Sequence, residues 1–171
     1  MDTMTTTAPV AHAIFLSWSS ADAAAKEDLI GRLMPNLKSL LGVDLTWWEM
    51  SHLRPGEDFG SEILARLDEC DSGLQLVSPA WAGSDFIRQH ESPVFVGPAA
   101  RRMALPVGLR PVPLGTGAMD LHGVDPLQLH LYKGKYFTEL RGHNRDAFAQ
   151  TLALAIRHRI LNSSPWRRIT P

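Results

Sequence analysis

Cysteine is nearly missing from this chain: Cys70 is the single one in 171 residues. That excludes an intramolecular disulfide and a cysteine-built zinc site, and it fits a reducing compartment, so a cytoplasmic location is expected. No sign of charge dominates, since 17 basic residues face 18 acidic ones for a formal net charge of −1. Nothing therefore argues for a nucleic-acid footprint. No apolar run is long enough to span a bilayer. The first stretch, 1–10, is polar and Thr-rich without a cationic start, and is expected to be a flexible leader rather than a signal peptide. The glycine patterns of P-loops and dinucleotide-binding turns are missing. The seven histidines (His12, His52, His90, His122, His130, His143 and His158) show no metal-ligand spacing, so no metal is expected.

What is present is a folding pattern. With 44% hydrophobic residues the chain can bury one sizeable core, and 11–162 is expected to form a single domain, followed by a tail or the start of a linker over 163–171. Ala11 to Trp18 is near-continuously apolar, as suits a central strand covered on both faces. Ser19 or Ser20 can cap the next helix, with Asp22 in its positive first turn. That helix carries Leu29, Leu33 and Leu37 at helical spacing, and Pro35 is expected to bend or split it. Val43 to Trp48 reads as a second strand, which sends Trp47 and Trp48 to opposite sheet faces. Phe59, Ile63, Leu64 and Leu67 mark a second amphipathic helix. Ser72 to Ser78 reads as strand three, and Ser84 to about Val96 as helix three, interrupted at Pro93. Leu105 to Val112 is expected to be strand four, and Tyr136 to Leu140 a short edge strand. Asn144 is expected to cap a last helix with the stripe Phe148, Leu152, Ile156 and Ile160. Strands alternating with helices imply a parallel sheet with right-handed crossovers.

Chemistry concentrates in Ser84-Asp85-Phe86-Ile87-Arg88-Gln89-His90-Glu91, just beyond strand three. Ligands of open α/β sheets bind at the carboxyl ends of the strands. An acid placed there, beside an aromatic, suits chemistry that develops positive charge on a sugar. The bland alternative for Glu91 is a solvated helix glutamate.

Three segments, in order and on these elements, resemble a TIR domain of the bacterial kind. Ile14-Phe15-Leu16-Ser17-Trp18-Ser19-Ser20-Ala21-Asp22 resembles the opening strand and loop. Leu53-Arg54-Pro55-Gly56-Glu57-Asp58-Phe59 is similar to the loop into the second helix. Leu76-Val77-Ser78-Pro79, with Ser84-Asp85-Phe86-Ile87 and Glu91, resembles the third strand and helix. There are departures: Ser92-Pro93 follows the glutamate where the bacterial pattern has Leu-Pro, and Ser19 and Ser20 stand where some animal enzymes carry basic residues.

The resemblance implies an α/β, flavodoxin-like three-layer sandwich with a parallel five-stranded sheet of order 2-1-3-4-5 and helices on both faces. It also implies either an enzyme that hydrolyses or cyclises NAD⁺ with a single glutamate, acting in antiphage defence, or a non-catalytic scaffold that works by homotypic assembly. In the first case Glu91 is the catalytic residue and NAD⁺ is substrate rather than cofactor. Phe15, Ser17, Trp18, Ser19, Asp22, Trp48, Phe59, Ser84 and Phe86 are the candidates to contact it. Simple capping for Ser19 and Asp22, and core packing for Trp18, Phe59 and Phe86, stay open beside those roles. Leu53, Arg54, Pro55, Gly56 and Glu57 form the implied self-association loop. The implied partners are NAD⁺, further copies of the domain (filaments included) and a regulatory domain or protein, with no membrane. A nucleoside ribosyl-transferring enzyme is a further alternative, because such folds also place a glutamate at this sheet edge.

Overall fold

The computed structural model describes residues 8–49, 59–96, 100 and 102–162. Its centre is a parallel sheet of four strands, β1 (Val10–Ser17), β2 (Val43–Glu49), β3 (Ser72–Val77) and β4 (Met103–Gly108), in the spatial order β2-β1-β3-β4. Every residue of β3 is buried, as a strand covered on both faces requires, whereas the edge strand β2 is half-buried to exposed. Register places Ile14 beside Ser72 and Ser17 beside Gln75.

The pleat divides the core in two. Ile14, Leu16, Leu74, Leu76, Leu105 and Val107 meet α1 (Ala23–Lys38) and the final helix. Phe15 turns the other way, onto Ile63 and Leu67 of α2 (Phe59–Glu69), with Cys70 and Phe95. Trp47 and Trp48 separate between these clusters, as strand parity demands. Leu64, placed by its spacing in the α2 stripe, is instead 51% exposed.

Prolines fall differently from their expected effect. Pro35 does not split α1; it lies in the last turns, where the side chain of Asn36 donates to the Arg32 carbonyl at 2.9 Å. Pro93 does not interrupt the third helical stretch either. After the short α3 (Pro79–Ala82), Ile87–Glu91 widens into a π-turn whose closing bond runs from the Ser92 amide to the Ile87 carbonyl. Pro93 then sits in the first turn of α4 (Ser92–Phe95), where a missing N–H costs nothing.

The strand expected at Tyr136–Leu140 is not formed. Phe137–Glu139 is a 3₁₀ turn, and beside β4 the chain contributes a single parallel bridge from His130 to Val107. β4 also starts earlier and ends at Gly108, because the chain leaves the sheet there. The last helix, α5 (His143–Leu161), buries Phe148, Leu152, Ile156 and Ile160 as its stripe requires, but it opens from Gly142 at φ 54° rather than from an Asn144 cap.

Candidate active site

Two strand ends and one helical turn converge at the carboxyl edge of the sheet. Ser17 is the last residue of β1, and Ser78 follows β3, its hydroxyl accepting from the Trp81 amide at 3.0 Å to start α3. This cap drives Trp81 into the interior, where its indole Nε1 donates to Ser17 Oγ at 3.0 Å. With that acceptor role filled, the Ser17 proton points at Glu91, donating to Oε2 at 2.5 Å. Glu91 closes the π-turn, a distortion that recurs at functional sites.

Glu91 is 1% exposed, and its second oxygen, Oε1, has no hydrogen-bond partner among the described residues. Burial pushes its carboxyl up from 4.5 to about 7, and the Ser17 hydrogen bond pulls only partly against that. It is therefore not the solvated helix glutamate of the bland alternative.

A histidine braces the residue that follows Glu91. The His122 ring stacks on Trp81, centroids 4.4 Å apart. Its Nε2 lies 2.9 Å from the Ala82 carbonyl, which assigns the proton to that nitrogen and leaves Nδ1 to accept from Ser92 Oγ at 2.7 Å. Burial is the main cause holding its pKa below the ordinary value. His122 sits at φ 61°, a left-handed backbone. It thus ties a distant loop to the residue following Glu91.

Of the residues expected to contact a substrate, the structure brings Ser17 onto Glu91 and separates most others. Asp22 is a brace: its buried carboxylate accepts from the Ser78 hydroxyl and from Arg110 Nε at 2.8 Å. Ser19 accepts from the Ala21 amide as a cap, and Ser84 does the same for Ile87. Phe15 is core, its ring 6.1 Å from that of Phe95. Trp18 packs on the α1 face beneath the Lys26 ammonium, which also pairs with Glu49 at 2.6 Å. Trp48 lies on the opposite face with the Arg66 guanidinium 3.7 Å from its ring centroid. Phe86 packs partly against the Phe15 cluster, 4.9 Å from the His90 ring. The side chain of Phe59, and all of Leu53, Arg54, Pro55, Gly56 and Glu57, lie outside the described residues.

No family model matches the chain, and no curated protein matches it. Among the described residues there is no group of three or more His, Cys, Asp or Glu side chains placed to hold a metal, and no helix is long and apolar enough to cross a membrane. A cavity of about 350 Å³ lies away from Glu91, between β4, the segment around His130 and α5.

Trp81, His122, Ser92, Ser78 and Arg110 are site neighbours that sequence reasoning missed. His122 carries no spacing signal, and Trp81 reads as a loop residue. Only the fold brings them to Ser17, which is 64 positions from Trp81 and 74 from Glu91.

Proposed function

We propose that this chain is a TIR-type domain that cleaves the nicotinamide–ribose bond of NAD⁺, with Glu91 as the catalytic residue. The observation that carries the reading is a buried carboxyl at the carboxyl edge of a parallel sheet, one oxygen held by Ser17 and the other without a partner among the described residues. Nicotinamide leaves as a neutral ring from a cationic one and needs no proton, so a general acid is dispensable. The transition state is oxocarbenium-like, as in glycoside hydrolysis. One ionised carboxylate in a dry site stabilises it strongly. Ser17 fixes one oxygen, and the free Oε1 is left to face the ribose. Attack by water gives ADP-ribose; attack by a nucleophile within the ADP-ribosyl group gives a cyclic product.

The single bridge at His130 supports an underlying strand order of 2-1-3-4-5 in which the fifth strand is reduced to one residue. The role in the cell is antiphage defence in the cytoplasm, and activity depends on homotypic assembly through Leu53, Arg54, Pro55, Gly56 and Glu57. Assembly fits the closure of the site: Glu91 is shut from solvent in the single chain, so substrate reaches it only when this edge opens. The same closure favours a second reading, a non-catalytic scaffold. Nicotinamide release followed against protein concentration separates the two. Release that rises faster than linearly with concentration, and vanishes in Glu91→Gln, supports the enzyme. No release at any concentration leaves the scaffold. Arg54→Ala is expected to lower both self-association and release, and unchanged assembly would reject that role for the loop.

A further inference from the structure

One buried polar group on the Glu91 face of the sheet has no role in the chemistry above. Gln75 of β3 is 1% exposed, and neither its Nε2 nor its Oε1 has a hydrogen-bond partner among the described residues. Such orphans are rare, because a buried polar group without a partner is costly to keep.

Its position follows from register. Gln75 pairs with Ser17, and side chains paired across parallel strands project to the same face. Leu74 and Leu76 enter the α1–α5 core, so Gly73 and Gln75 turn toward the third helical stretch. Phe95 packs on Gly73: a Cβ there would lie 2.6 Å from both the Phe95 ring and Gln75 Nε2. Glu91 precedes Phe95 by one helical turn, roughly 6 Å of rise. Gln75 lies two residues beyond Gly73, roughly 6.6 Å along the strand. Glu91 therefore stands at the height of the Gln75 backbone, consistent with its bond to Ser17 in the adjacent strand, while the Gln75 amide itself lies back over Gly73.

We propose that Gln75 is a ligand-binding residue of the Glu91 site, its amide reading a hydroxyl of the nicotinamide ribose. The inference rests on the NAD⁺-cleavage reading. An ionised carboxylate only accepts hydrogen bonds, whereas an amide both donates and accepts. The two together satisfy one ribose hydroxyl: it donates to Glu91 Oε1 while its oxygen accepts from Gln75 Nε2. Among the described residues the other buried donor on this face without a partner, Arg66 Nε, belongs to a guanidinium stacked on Trp48 of the edge strand. With no Cβ at Gly73, the amide has room over that residue and against Phe95.

Gln75→Met and Gln75→Leu keep apolar packing against Phe95 and delete the amide. Both are melted without ligand, then assayed on NAD⁺ and on its analogues lacking the 2′- or 3′-hydroxyl of the nicotinamide ribose. The expected result is a melting temperature equal to or above wild type, with kcat/KM for NAD⁺ reduced about tenfold or more. Discrimination against one of the deoxy analogues should shrink by about the same factor. Two results overturn the inference: unchanged discrimination against both analogues, or melting well below wild type in both variants, the mark of an amide with a structural partner. Wild-type protein that never turns over NAD⁺ overturns the reading beneath it as well, whereas active wild type with equally active variants removes Gln75 alone.

Discussion

The Ser17 hydroxyl lies 2.5 Å from Glu91 Oε2 and 3.0 Å from the Trp81 indole nitrogen, so it accepts from one neighbour and donates to the other. Ser17→Ala removes the donor to the carboxylate and orphans a buried indole N–H. The expected loss of stability is about 1–3 kcal/mol. The Ser17 bond is also what pulls the Glu91 pKa down against burial, so the variant's carboxyl titrates higher still. If the carboxylate is the active form, the acid limb of the rate profile moves to higher pH. Melting curves and a pH–rate profile check the two effects separately.

Glu91 makes stability and activity oppose each other. Its folded pKa, about 7, lies above the unfolded value of 4.5, so the folded state binds the extra proton between those pH values. Stability therefore falls as pH rises from 4.5 to about 7, by roughly 3 kcal/mol if the whole shift is realised. Glu91→Gln removes the titration. It is expected to melt higher than wild type at pH 8, by a margin that shrinks toward pH 5, and to release no nicotinamide. Melts at stepped pH decide this; an identical pH dependence in both proteins would refute it.

His122 contributes with the opposite sign. Burial lowers its folded pKa below the ordinary 6.5, so the unfolded chain takes the proton first as pH falls. Its contribution is complete above pH 6.5 and is lost progressively below it. His122→Gln removes this contribution, so the variant should gain stability relative to wild type as pH falls below 6.5, as measured by denaturant midpoints at matched pH.

Asp22 is expected to act as a brace and not as a substrate contact. It gathers the Ser78 hydroxyl, which caps α3, and Arg110, which follows β4. Asp22→Ala should cost about 1–3 kcal/mol, since Arg110 is half-exposed and recovers water. Arg110→Ala should cost at least as much, because it leaves a buried carboxylate without its cation. In both variants KM for NAD⁺ should change little once the folded fraction is taken into account. A KM that rises manyfold without loss of melting temperature would restore the contact role.

The strands were readable where the chain is apolar on both faces, as in β1 and β3, and the helices where a stripe repeats, as in α5. Glu91 was readable because the helical stretch that follows a central strand in such a sheet starts at its carboxyl edge. Its neighbours were not. Phe15 and Ser17 share a sheet face by parity, yet Phe15 lies deeper and stacks on Phe95 while Ser17 reaches the edge. Pro93 marks a break in any local reading; the π-turn that absorbs it is a tertiary accommodation. The strand expected at Tyr136–Leu140 follows the same logic, since the turn at Phe137–Glu139 buries Phe137, which packs against Phe148.

Gly73 offers the sharpest test of packing at the site. A methyl group at this position would stand 2.6 Å from Phe95 and from the Gln75 amide, and Phe95 is pinned by Phe15 and α2. The amide is the softer neighbour, so Gly73→Ala is expected to push it out of its place and cost about 1–3 kcal/mol. Shortening the obstacle should relieve the strain: Gly73→Ala combined with Gln75→Ser should be less destabilised than the sum of the single variants, with a coupling on the order of 1 kcal/mol. Strict additivity in denaturant melts would place the Gln75 side chain somewhere other than over Gly73.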